Sequence, residues 1–203
     1  MTDQTTPDFK AMDIEQLLPI AEATNDPEAQ FVLSEKYFDK DDIQTSLKWS
    51  WKAALQGHLD ACFNLALHYQ DRGDYGTMVD FLSNAAKNGH GPSQHQLAYA
   101  IEKGLGIEDN AEAAVYWLRL AVMQGFAESQ NSLANCYRTG YGVEQSDAEA
   151  IKWYRKAAEQ GFEPALEALS KMAEAARKGS KSKLLAQALG IPPKTKVAPA
   201  AIA

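Results

Sequence analysis

Long apolar runs are missing from this 203-residue chain: none approaches the roughly 18 residues that a bilayer-crossing helix needs, which predicts no membrane insertion. The opening residues, Met1-Thr2-Asp3-Gln4-Thr5-Thr6-Pro7-Asp8, lack a basic cluster followed by an apolar stretch, so no secretory leader is expected. Cysteine is scarce. Cys62 and Cys136 fall at different positions of repeating units two apart, so they are not expected to pair, and a cytoplasmic location fits best. Basic residues are also few outside the end of the chain. Six of the 20 Lys and Arg lie in residues 177–203, which hold no acid. The rest carries 14 basic against 27 acidic side chains, a net of −13. An acidic body repels phosphate backbones, which argues against nucleic acid as the main ligand.

Chemistry-bearing constellations are equally sparse. Neither cysteine has a histidine and an orienting acid at matching helical positions, and no paired carboxylates stand out from the acidic faces. His58 and His90 both follow a turn glycine, while His68 and His95 occupy other positions. No ligand set at metal spacing results, and these read as turn or surface histidines. Gly104-x-Gly106 and Gly140-x-Gly142 have no preceding strand and no third glycine, so they read as connectors and not as phosphate cradles. Arg72-Gly73-Asp74 matches an adhesion tripeptide but falls in a connector. The expectation is a protein with no cofactor, no metal and no enzymatic activity.

What the chain does have is a repeated unit. Leu47-Lys48-Trp49, Val79-Asp80-Phe81, Val115-Tyr116-Trp117 and Ile151-Lys152-Trp153 each lead through a small pair to a glycine, at Gly57, Gly89, Gly125 and Gly161. These glycines are 32, 36 and 36 residues apart, a period that marks stacked repeats. Ahead of each aromatic segment runs a second pattern. Ala29, Ala61, Ser93, Ser129 and Ala165 are each followed four residues on by Leu33, Leu65, Leu97, Leu133 and Leu169. A second small residue comes next, and Tyr37, Tyr69, Ile101 and Tyr137 stand three beyond it. Offsets of 0, 4, 5 and 8 share one helical face, so each unit is predicted to be helix, connector, helix and tight turn. Trp49, Phe81, Trp117 and Trp153 are expected to be equivalent wedges between stacked hairpins.

These residues resemble the Sel-one-like repeat (SLR) family, related to the tetratricopeptide repeat. The fullest match is Ser129-x3-Leu133-Ala134-x2-Tyr137-x2-Gly140-Tyr141-Gly142-Val143, then Ala150-x2-Trp153-Tyr154-Arg155-Lys156-Ala157-Ala158-Glu159-Gln160-Gly161. The resemblance covers about residues 29–178. It implies an all-α fold, a right-handed α-α superhelix (solenoid) of about four helix-turn-helix repeats with half-repeat caps, acting as an adaptor for protein complexes. Disulfide-rich members have been linked to β-lactam binding or hydrolysis. This chain lacks their paired cysteines, so that activity does not carry over.

The expected organisation is a disordered segment at 1–12, a solenoid at 13–178 and a basic Pro/Ala-rich tail at 179–203. Repeats are placed at about 29–60, 61–92, 93–128 and 129–164, with half-repeats at 13–28 and 165–178. Asn25 takes the place of the turn glycine, while Pro19 should kink the first helix or mark its true start. Residues 183–189 are expected to add a helical turn or two, and the tail's lysines to be solvated or to dock on an anionic partner.

Residues two and six after each small starter, and one past the tyrosine, are predicted to line a concave groove. Two sets alternate along it: Phe31, Phe63, His95, Asn131, and Glu35, Leu67, Tyr99, Asn135. Phe38, Gln70, Glu102 and Arg138 complete it. These positions change in every unit while core positions hardly change, a contrast that a specific binding surface and free surface drift would both produce. The early end is apolar (Phe31, Phe38, Phe63, Leu67), and the late end polar (Asn131, Asn135, Arg138). The phenylalanines fit either partner anchors or packing under the N-terminal cap. The predicted partner is another protein or peptide, with oligomeric state open. Alternatives are an enzyme or small-ligand site near His95 and Tyr99, or a delivered bacterial effector acting on a foreign partner.

Overall fold

The computed structural model describes residues 7–178, so the expectations for residues 1–6 and 179–203 lie outside the described residues. Every regular element there is helical. The chain divides into two compact units, residues 1–110 and 111–203. In the first, α1 (Ile14–Thr24) precedes two hairpins, α2 (Pro27–Phe38) with α3 (Ile43–Leu55) and α4 (Leu59–Asp71) with α5 (Tyr75–Lys87). It ends with α6 (Gly91–Lys103). The second holds α7 (Ala111–Met123), the hairpin α8 (Ala127–Thr139) with α9 (Asp147–Glu159), and α10 (Glu163–Lys178). Within each unit, successive helices pack on one another.

The helix starts follow from short polar side chains. Asp26, Asp42 and Asp74 accept hydrogen bonds from backbone amides of their first turns, and Asp13 forms a reciprocal capping box with Gln16. Ile14 thus marks the start of α1, and Pro19 stays inside that helix. Asn25 adopts the left-handed conformation expected of it, with φ 54°.

The small-pair-then-glycine signature is explained by carbonyl capping. At the end of α3 the amide of Gly57 donates to Ala54 O at 2.9 Å, and that of His58 to Ala53 O at 3.1 Å. Gly89 and His90 repeat this on Ala86 and Ala85, as do Gly161 and Phe162 on Ala158 and Ala157. The pattern needs a left-handed residue, and Gly57 has φ 86°.

The core follows the repeated pattern. Ala29, Ala61, Ser93, Ser129 and Ala165 are fully buried, and Leu33, Leu65, Leu97 and Leu133 almost so. Small side chains let the helices approach closely, and the leucines fill the space between them.

Two features depart from expectation. Residues 7–12, placed in a disordered segment by sequence, include a 3-10 turn at Phe9–Ala11. Its Phe9 is buried with Leu17, Ala21 and Trp49. The four aromatics also differ in depth: Trp49 is buried, whereas Phe81, Trp117 and Trp153 are half-buried. Phe81 stacks on Tyr69 at 6.0 Å and meets the edge of Trp51 at 5.0 Å. The deepest large side chains stand one residue later, at Leu82, Leu118 and Tyr154.

The long connectors contain glycine for a steric reason. A Cβ on Gly106 would overlap the backbone carbonyl of Tyr75, the first residue of α5, and one on Gly142 would overlap that of Ala111, the first residue of α7. Gly73 and Asp74 serve the shorter connector, where Asp74 caps α5 through Thr77, so the adhesion-like tripeptide is spent on a turn.

Candidate functional site

The predicted groove positions in the first unit lie on α2, α4 and α6. Phe31 is only 7% exposed and stacks on His58 with ring centroids 4.4 Å apart. Phe63, half-buried, meets His90 edge-on at 5.5 Å. Both phenylalanines therefore brace the junction to the next repeat, and Phe31 clusters with Ala53 and Ala61 rather than under the N-terminal cap. Further along these helices the apolar side chains open to solvent: Phe38 is 63%, Leu67 36% and Tyr99 41% exposed. His95 is half-buried.

The histidines carry a structural role that sequence reading missed. Nδ1 of His58 accepts from the Ala61 amide at 3.2 Å, capping α4, while its Nε2 faces Glu28. His90 caps α6 through Ser93 and reaches Asp60 at 3.2 Å. The available signal was their shared place directly after the turn glycine. Phe126 fills that slot before α8 with no side-chain cap.

In the second unit, Asn135 and Arg138 come together on Tyr154. The buried phenol donates to Asn135 Oδ1 at 2.5 Å and accepts from Arg138 Nε at 3.2 Å. Burial pushes the Tyr154 hydroxyl above its ordinary pKa, with Arg138 opposing. Asn131 is half-buried one turn earlier on the same helix.

A cleft of about 450 Å³ opens in the first unit between α2, α3 and α4. Glu35, Phe38 and Leu67, all predicted groove residues, line it; His95 and Tyr99 do not. Its floor is explained by register. The position held by Leu82, Leu118 and Tyr154 elsewhere is Ser50 here, and the position of Met78 is Ser46. Ser50 thus stands where every other unit buries a large side chain, and Ser46 where the second buries Met78 and the later two bury Ala114 and Ala150. Partial burial raises the Glu35 pKa; Lys10 opposes the rise, while Glu28, Asp39 and Asp60 add to it. The cleft was not legible from sequence, although serine at a position otherwise filled by Leu or Tyr was the clue.

No group of three or more His, Cys, Asp or Glu residues could hold a metal ion among the described residues. Nor is any described helix long and apolar enough to cross a membrane. Cys62 and Cys136 are buried and joined in no disulfide, and burial pushes the Cys62 thiol up in pKa.

The Sel1 repeat model matches residues 27–58, 59–90, 91–126 and 127–162. Among solved structures, c5321, a protective antigen of uropathogenic Escherichia coli strains displaying an SLR fold, superposes with a TM-score of 0.76 at 29% identity. The match covers 81% of this chain and 37% of the E. coli protein, so this chain spans little over a third of that protein's length. A Sel1 repeat protein from Oxalobacter formigenes gives a TM-score of 0.71 at 26% identity, covering 79% of this chain and 71% of the other. No curated protein matches. The recurrent buried small residues and leucines, the glycine-closed second helices and four successive matched units together place this chain in the Sel1 repeat family.

Proposed function

We propose that the protein is a non-enzymatic interaction scaffold that binds a peptide or helix of a partner protein along the exposed faces of α2, α4 and α6. Sel1 repeat proteins are in general protein-interaction scaffolds. The observation that carries the finer reading is the recurrence of solvent-facing apolar side chains at the predicted groove positions. Phe38 on α2, Leu67 on α4 and Tyr99 on α6 are all substantially exposed, while the neighbouring leucines are buried. Exposed aromatic and aliphatic side chains beside rigid backbone are suited to anchor a partner at low entropic cost. In the second unit, the Tyr154 hydroxyl holds Asn135 and Arg138 together, a hydrogen-bonding pair suited to a partner's backbone or carboxylate. Two buried cysteines outside any disulfide support a reducing, cytoplasmic setting.

The test is capture of partners from native lysate with wild-type protein and with Tyr99→Ala, identified by mass spectrometry. The expected result is loss of a specific partner with the helical circular-dichroism signal retained. Unchanged capture would remove this face as the binding surface.

A further inference from the structure

We propose that the cleft between α2, α3 and α4 is a receptor for a guanidinium group on an alkyl stem, as carried by an arginine side chain of a partner. This deepens the scaffold reading and rests on it.

The cleft exists because of Ser46 and Ser50. The two residues are 6% and 4% exposed and neither hydroxyl bonds to another described residue, yet neither oxygen is fully buried, since Trp153 Nε1 is the one fully buried unpartnered polar side-chain atom among the described residues. A helical serine commonly turns back to a carbonyl of the preceding turn; these two do not. Both residues line the cleft, so their hydroxyls are left to serve what enters it.

The charge around them is mainly acidic, with His68 on the wall and Lys10 acting on Glu35 from outside it. Glu35, Asp39 and Asp71 line the cleft, no Lys or Arg does, and none of the three carboxylates is in an ion pair among the described residues. Anionic ligands are repelled, and a cation is attracted at the mouth. With no metal-holding group of side chains among the described residues, the cation that fits is organic.

The walls choose between organic cations. Phe38, Ile43, Leu47 and Leu67 give an apolar lining for an alkyl stem. A guanidinium presents a planar fork of five donors, is less strongly hydrated than an ammonium, and stacks on aromatic faces such as the exposed ring of Phe38. Two serine hydroxyls and the Glu35 carboxylate supply acceptors that a single ammonium would use less fully.

The experiment titrates the ¹⁵N-labelled full chain with butylguanidinium, with acetyl-Gly-Arg-Gly-amide and with its citrulline counterpart, following backbone amides by NMR. The arginine probes are expected to shift the amides of Ser46, Ser50 and Asn64, and the citrulline peptide to bind at least about tenfold more weakly. Ser50→Leu, which restores the side chain of the second repeat, should abolish the shifts while raising the melting temperature; Glu35→Gln should weaken binding about tenfold. Binding of the tripeptide alone assigns the group to a peptide, and binding of butylguanidinium alone assigns it to a free small guanidine. Equal binding of citrulline, retained binding in Ser50→Leu, or no shift with any probe overturns the proposal. Tyr99 does not line the cleft. Partner capture that depends on Tyr99, without butylguanidinium or tripeptide shifts, overturns the cleft alone. Shifts with capture unaffected by Tyr99→Ala overturn the helix-face reading alone.

Discussion

Nε2 of His58, the residue that caps α4, lies 2.9 Å from Oε2 of Glu28 on α2 of the preceding hairpin. Because Nδ1 of the same ring accepts the Ala61 amide, the neutral ring must carry its proton on Nε2 and donate it to Glu28. One side chain thus starts α4, stacks on Phe31 of α2 and bonds a carboxylate of α2. The helix cap and the junction between hairpins are one construction.

His58→Ala should therefore cost more than the loss of a cap alone. About 1 kcal/mol is expected for the cap and about another for the stacked ring, read from urea unfolding. His58→Asn keeps a capping acceptor and should recover roughly half of the loss. Equal destabilisation by both substitutions would show that capping contributes nothing.

The glycines separate into two kinds. Gly57 has φ 86° but nothing within 4 Å of an added Cβ, so Gly57→Ala should cost about 1–2 kcal/mol of backbone strain. At Gly106 the same methyl meets the Tyr75 carbonyl and stands 2.9 Å from the Gly76 nitrogen. Gly106→Ala should cost about 3 kcal/mol or more, since strain and overlap add. Thermal melts of the two variants check the difference.

Tyr154→Phe leaves Asn135 without its donor and Arg138 without its acceptor. A loss of about 1 kcal/mol is expected, with the ring's packing retained. The tyrosine pKa is raised in the folded state, so its stabilising contribution is intact below the ordinary tyrosine value and is lost as pH rises through the folded one. In an alkaline absorbance titration, the substitution should remove a native phenol that titrates above the ordinary tyrosine range. An unchanged alkaline phase would contradict that assignment.

Glu35 gives the corresponding carboxylate test. Its pKa is raised on folding, chiefly by partial burial, so the native state holds the proton more firmly than the unfolded chain does. Stability is then greatest below the unfolded value and falls as pH rises through the folded one. Glu35→Gln does not titrate. Its melting temperature should exceed that of wild type near neutral pH, with the gap closing in acid. A gap that is constant with pH would contradict the assignment.

Sequence carried the repeat architecture because the same physical demand recurs in every unit. Ala29, Ala61, Ser93 and Ser129 must be small where helices touch, and Leu33, Leu65, Leu97 and Leu133 must fill the same gap. The deepest position of the second helix was harder to see. It is Ser50, Leu82, Leu118 and Tyr154 in turn, and a residue class that changes this much hides a shared location. The cleft follows from that variation, since an empty volume depends on three helices together and leaves no pattern in any one of them. His58 and His90 were visible as equivalent residues, but their role depends on which ring nitrogen faces an amide, and only geometry supplies that. Phe31 was placed on the correct helix; its burial against His58 depended on the following unit.

The seating of Gly106 on Tyr75, and of Gly142 on Ala111, ties each long connector to the second helix before it. A grafted copy with the long connector must therefore meet a second helix that starts at that spot, whereas Gly73 of the shorter connector has nothing within 4 Å of an added Cβ and makes no such demand.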